Sequence, residues 1–285
     1  MEEQIKELTL LLLYLTSWTE KEPYGEYQRA WKGYDFDILN SLEDERFLYW
    51  CDVKGVLVWS EMANCYNFDD NSLQNFTNEW IRVVKQNYNH PSIITWVPIN
   101  ESWGIPEVST CEKEQNFANT LYYLTKSIDD TRPVISNDGW EYTISDIITI
   151  HDYKQDDELL YKEYMDKDMK ILNNLKEYNG KHRLFANGYK YEGQPVIMSE
   201  YGGIAINSEE GWGYGKQVKD ERELLERFTK LTNVIKNIPY ISGYCYTQLA
   251  DVQQEINGLM DEERNYKVEP SIIKHINIEK FYKEI

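Results

Sequence analysis

Short apolar runs alternate with longer amphipathic ones along most of this chain. Val56 to Trp59 (VLVW) reads as a buried strand, and Leu73, Phe76, Trp80, Ile81 and Val84 then recur at helical spacing between Asn71 and Tyr88. Ile93 to Pro98 is the next strand, and Glu112 to Ile128 a helix with Phe117, Leu121 and Leu124 on one face. Pro133 to Ser136 follows the turn-like DDTRP as a short strand, and Asp146 to Ile150 is another. The pattern then predicts a helix over Asp157 to Tyr178, a strand over Pro195 to Ser199 and a helix over Lys219 to Asn237. That helix carries a stripe of Leu224, Leu225, Phe228, Leu231 and Ile235. Ile241 to Tyr246 is the last strand, and Ser271 to Lys283 closes the chain as a helix. Six strands between Gly55 and Tyr246, separated by helical patterns, predict βα units and a parallel sheet. The fold class is α/β, with no internal repeat or low-complexity linker to mark a domain boundary.

Two apolar runs break the pattern in the same way. PSIITWVPINESWG (Pro91 to Gly104) ends in Asn100-Glu101, and PVIMSEYGG (Pro195 to Gly203) carries Glu200. An acid at the end of a buried strand sits at the mouth of a core, where its surroundings tune its proton affinity. Parallel α/β folds place ligands at those strand ends. Two such carboxylates suit glycosidic bond cleavage, which needs one acid to protonate the leaving oxygen and one ionised partner. A tyrosine near Glu200 can hold it ionised by donating a hydrogen bond. The plain alternative is that each glutamate caps a helix or pairs with a lysine. No G-x-G-x-x-G or G-x-x-x-x-G-K-[ST] follows any strand, which lowers the case for a nucleotide.

Composition narrows the ligand. The 285 residues suffice for one large domain or two small ones. A formal net charge of -19 argues against nucleic acid and anionic membrane surfaces as partners. Core packing accounts for most of the 23 Tyr and 9 Trp, and their excess over Phe also suits a flat-faced polar ligand such as a sugar. Cys51, Cys65, Cys111 and Cys245 show no C-x-x-C spacing and read as reduced thiols, with Cys51 and Cys245 inert in the core. The leading MEEQIKELTLLLLYLTSW has an apolar run too short to span a bilayer, and its acidic start is unlike a signal peptide. The expected location is cytoplasmic.

At the two glutamates the chain resembles glycoside hydrolase family 2, the family of β-galactosidases, β-glucuronidases and β-mannosidases. YNHPSIITWVPINESWG (Tyr88 to Gly104) is similar to its fourth barrel strand and acid/base, and GQPVIMSEYGG (Gly193 to Gly203) to its seventh strand and nucleophile. GVLVWSEM (Gly55 to Met62) resembles the third strand, and ISGYCYTQLADVQQEINGL (Ile241 to Leu259) the eighth strand and the loop after it. The likeness runs from about Glu43 to the C-terminus, in the family's order. It implies a (β/α)8 TIM barrel and a retaining β-glycosidase, β-galactoside-like, with Glu200 as nucleophile and Glu101 as acid/base. Their carboxyl groups are then expected about 5 to 5.5 Å apart. Asn100 is expected on the sugar 2-hydroxyl, and no cofactor or metal is implied.

Softer candidates for the sugar are Trp103, His151, Tyr153, Asn137, Asp138 and Gln248. Each has a plain reading as a packed ring, a local hydrogen bond or a turn residue. Trp140, Glu61 and Asp251 stand at strand ends with the same two readings. The resemblance starts only after a divergent segment, residues 1–45, ahead of a barrel portion over 46–285. Only Leu8 to Ser17 is strand-capable or helical before Gly55, and neither Arg29 nor Arg46 matches the arginine that the family places near its nucleophile. The expectation is a barrel incomplete or irregular at its first two strands. Exposed sheet edges then invite self-association or a complementing chain. The alternative function is a non-catalytic remnant or carbohydrate-binding protein.

Overall fold

The computed structural model of the chain describes residues 45–208 and 211–278. The readings of Leu8 to Ser17, Arg29 and the end of the last helix fall outside these residues. In chain order the elements are α1 (Glu45–Lys54), β1 (Val58–Glu61), α2 (Asp70–Asn87), β2 (Ile93–Val97) and α3 (Glu112–Ile128). They continue with β3 (Ile148–Asp152), α4 (Asp157–Tyr164), β4 (Val196–Gly202), α5 (Glu221–Asn237), β5 (Ile241–Thr247) and α6 (Pro270–Ile278). No described helix is long and apolar enough to cross a membrane.

Three of the helices start where the sequence supplies a capping aspartate. Asp69, Asp156 and Asp220 each accept a hydrogen bond from the backbone N–H three residues on, opening α2, α4 and α5. Phe76, Trp80, Val83 and Val84 form the buried stripe of α2, and Leu224, Phe228, Leu231 and Ile235 that of α5. All strand pairs are parallel. β1 pairs with β2, and β3, β4 and β5 form a second sheet in that order. Every residue of β3 and of β4 is buried, as expected of strands covered on both faces. One core lies under β1 and β2 with α1 to α3, around Trp80 and Trp96. The other lies under β3 to β5, around Phe228, Leu231 and Tyr246.

Two expectations need correcting. Pro133 to Ser136 is not a strand. The segment runs beside β2, where Trp96 N–H donates to Pro133 (3.1 Å) and Ile135 N–H to Trp96 (3.0 Å). On its other side, side chains replace much of the ladder. Asp146 accepts from Val134 N–H (2.8 Å) and Ser145 from Ser136 N–H (3.3 Å). This segment therefore joins the two sheets without being a regular strand of either. The helix predicted to Tyr178 stops at Tyr164. Asp166 accepts from Asp168 N–H at 2.9 Å, and this local bond favours a turn over another helical turn.

Candidate active site

Glu101 follows β2 on a turn whose backbone is unusual. Its φ is 50° and that of Ser102 is 59°, both in the left-handed region that non-glycine residues rarely occupy. Neighbours hold the turn there. Glu101 N–H donates to the Asp138 carbonyl at 2.9 Å, and Ser102 N–H to Asn137 Oδ1 at 2.9 Å. Ser102 Oγ donates to Glu141 Oε2 (2.7 Å) and accepts from Asn137 Nδ2 (3.0 Å). Glu141 in turn takes His182 Nδ1 at 3.1 Å, and the His182 ring stacks on Trp140 at 4.0 Å.

Glu200 lies inside β4, buried and opposite His151 of β3 in the parallel register. The Tyr153 hydroxyl donates to Glu200 Oε2. The Tyr153 ring is stacked on Tyr214, with centroids 3.5 Å apart and planes within 5°. Gly203 makes that stack possible, because a Cβ there would lie 2.3 Å from Tyr214 Cδ2.

His151 links the two glutamates. Its side chain is 0% exposed, with Nδ1 2.7 Å from Glu101 Oε1 and 3.4 Å from Glu200 Oε2. Nε2 lies 3.3 Å from Asp138 Oδ1. Burial opposes a charge on the ring, but Glu200, Asp138 and the hydrogen bonds to Asp138 and Glu101 outweigh it, and its pKa stands well above the ordinary value. Burial also opposes the charge of Asp138. His151, Thr149 and Ser199 (Oγ at 2.7 Å) outweigh that and hold its pKa low. A carboxylate oxygen of Glu101, one of Glu200 and a His151 nitrogen all lie within 4.8 Å of one another. Three such groups are close enough to hold a cation, a possibility hidden by their wide spacing in sequence. A cation there would have to displace the proton that these same carboxylates favour on the His151 ring.

The other candidates separate by what their polar atoms do. Asn100 Oδ1, Gln248 Nε2 and Trp140 Nε1 are buried without a hydrogen-bond partner among the described residues. Such groups call for a partner. Asn137 and Asp138 are turned inward: Asn137 serves Ser102 and the Trp140 carbonyl, and Asp138 binds Thr149, Ser199 and His151. Trp103 is exposed and does not pack under its loop. Asp251 accepts from Gly258 N–H and pairs with Lys267 at 2.6 Å, a local structural role. Glu61 is buried at the end of β1. Cys51 is buried and Cys245 half-buried. Burial, with Glu200 and Asp138 nearby, pushes the Cys245 thiol up to about 12, so it is unreactive. Tyr214, Glu141, His182, Ser102 and Asn64 belong to the site or its support, and only Ser102, next to Glu101, carried a sequence signal.

Comparison with known proteins bears on the family and the fold. Residues 43–278 match the family model described as glycosyl hydrolases family 2, TIM barrel domain. Residues 1–59 match one described as a domain of unknown function. A β-glucuronidase of Rattus norvegicus is 27% identical over 174 residues, which is 57% of this chain and 24% of that protein. β-Mannosidase B of Aspergillus clavatus is 34% identical over 95 residues, 32% of this chain and 10% of that one. The chain thus spans a quarter or less of these relatives. A crystal structure of a family 2 β-galacturonidase from Eisenbergiella tayi bound to glycerol superimposes with a TM-score of 0.61 at 19% identity. It covers 85% of this chain and 44% of that one, and the likeness is one of fold. The parallel strands and alternating helices are accordingly a portion of a TIM barrel, with β1 and β5 unpaired to each other among the described residues. By its TIM-barrel domain, which takes up most of its length, the chain belongs to glycosyl hydrolase family 2.

Proposed function

We propose that this chain carries the site of a retaining β-glycosidase that cleaves terminal β-linked sugars by double displacement. The observation that carries the reading is the approach of Glu101 and Glu200 to within 4.8 Å, oxygen to oxygen, at the ends of parallel strands. That is the close spacing of a retaining pair rather than the wider one that leaves room for water. Glu200 attacks the anomeric carbon as the bond to the leaving oxygen breaks, and Glu101 gives that oxygen a proton. Glu101 then takes a proton from water, water attacks the anomeric carbon, and Glu200 departs from the sugar. The His151 proton sits one hydrogen bond from Glu101 Oε1, at 2.7 Å. Asn100 Oδ1 and Gln248 Nε2, buried and unpartnered in the protein, fit sugar hydroxyls.

The relatives are named for glucuronide, galacturonide and mannoside cleavage, so the test panel is 4-nitrophenyl β-glucuronide, galacturonide, mannoside and galactoside. Proton NMR of the first product formed is expected to show the β anomer. An α anomer first would contradict the retaining assignment. A second reading rests on β1 and β5, each paired on one side only among the described residues. It makes the chain a carbohydrate binder, or one that works only in a self-associated or complemented form. Sugar binding by calorimetry without turnover by the isolated chain would favour it.

A further inference from the structure

The turn that carries Glu101 also carries an aromatic side chain left open. Trp103 is 51% exposed and Tyr66, from the loop after β1, is 49% exposed. Their rings meet edge to face at 5.7 Å and 90°. The backbone beneath them is firmly fastened. Asn100 N–H donates to Asn64 Oδ1 at 2.7 Å, and Asn64 Nδ2 to the Pro98 carbonyl at 2.9 Å. Trp103 N–H donates to Asn100 at 2.9 Å, and Ile105 N–H to Ser102 at 3.0 Å. Gly104 lies so close to the Tyr66 loop that a Cβ on it would sit 2.7 Å from Cys65 Sγ. By contrast, Trp80 and Trp96 are fully buried with their indole N–H groups bonded to Thr125 and Asp129. A rigidly mounted, exposed ring pair binds another ring at little entropic cost.

Its place decides which ring. In the proposed reaction Glu101 protonates the leaving oxygen, and Trp103 stands two residues beyond it on the same turn. Groups around Glu200, such as Tyr153 and Tyr214, lie on the side of the attacked sugar. Resting on that reading, we propose that Trp103 and Tyr66 form a leaving-group subsite for a sugar ring. The chain is then built for β-linked disaccharides or longer chains rather than simple alkyl glycosides. An aryl leaving group offers a similar flat face, and the experiment separates the two.

The chain with Glu200→Gln, which cannot turn substrate over, is titrated calorimetrically with methyl β-glycosides, phenyl β-glycosides and β-linked disaccharides of the galacto, gluco and manno series and of their uronic acids. The disaccharide is expected to bind about 10-fold more tightly than the methyl glycoside, the worth of one good aromatic contact. Adding Trp103→Ala should remove that advantage and leave the methyl glycoside within about 2-fold, while Trp103→Phe should keep part of it. Equal binding of methyl glycoside and disaccharide would overturn the inference, as would a gain confined to the phenyl glycoside or no binding by any compound. A uniform weakening of all three by Trp103→Ala would also overturn it, placing the ring on the attacked sugar. Turnover by the chain with Glu200 intact is measured separately on the same compounds. Absent turnover with the disaccharide preference intact would count against the hydrolase reading and not against the subsite.

Discussion

The two glutamates sit in opposite kinds of backbone. Glu200 is one residue in a fully buried strand, with a parallel neighbour on each side and the Tyr153 hydroxyl on its carboxylate. Glu101 is on a turn with two successive positive φ angles, and its side chain is 24% exposed. A nucleophile must meet one carbon along one line, and the rigid strand suits that task. An acid/base must meet a leaving group and then water, so it belongs nearer solvent. The positive φ angles cost free energy, on the order of 1–3 kcal/mol each. The bonds from Asn137, Asp138 and Glu141 to the Glu101 turn offset that cost.

The sharpest way to break this contrast is to remove each carboxylate in turn. Glu200→Gln should lower kcat by at least ~10⁴-fold on every substrate. Glu101→Gln should cost ~10²–10⁴-fold on poor leaving groups but far less on 4-nitrophenyl glycosides, which need little protonation. Equal losses on both leaving groups would contradict the assignment of roles. On the strand side, Tyr153→Phe removes one hydrogen bond to a charged group, an effect of about 1.5–3 kcal/mol, and kcat should fall by about 10- to 100-fold. On the turn side, Ser102→Ala should lower kcat by about 10-fold and leave KM little changed, since it loosens the backbone under Glu101. A KM change alone would place Ser102 against substrate instead.

Stability probes the point where the two regions meet. Gly139 has φ 108°, and a Cβ there would lie 2.9 Å from His151 Nδ1. Gly139→Ala should cost ~1–3 kcal/mol in urea unfolding. The raised pKa of His151 has a definite sign. Below the unfolded value of about 6.5 the ring is charged in both states, and its ion-pair stabilisation is complete. As pH rises from there, the unfolded chain loses this proton first, and the stabilisation fades through the higher folded pKa. His151→Asn should therefore flatten the fall of the urea midpoint above about pH 6.5. An unchanged slope would show that His151 is not held charged.

Much of the barrel could be read from periodicity. Glu112 to Ile128 forms the helix its apolar face foretold, residue for residue. Pro133 to Ser136 could not be read correctly, because apolar side chains do not reveal that Asp146 and Ser145 take over part of its hydrogen bonding. At the site, Glu101, Glu200, His151 and Tyr153 stood out at the ends of apolar runs, and the fold brings them together. Tyr214 and His182 did not stand out. They reach the site from loops far along the chain, and nothing local marks a ring that stacks on a distant partner. Asn137, a candidate hydroxyl binder with a plain alternative as a turn residue, has its amide hydrogen-bonded to Ser102 and to the Trp140 carbonyl beneath Glu101.

The central claim is that Glu200 bonds covalently to the sugar while Glu101 serves the leaving group. Mass spectrometry of the intact chain after incubation with 2-deoxy-2-fluoro glycosides bearing good leaving groups tests it directly. The series spans the galacto, gluco and manno sugars and their uronic acids. The predicted result is a gain of one fluorosugar with one of them, mapped by peptide digestion to Glu200 and lost in Glu200→Gln. An adduct on Glu101, or none with any sugar from a chain shown to be folded by circular dichroism, would contradict the account.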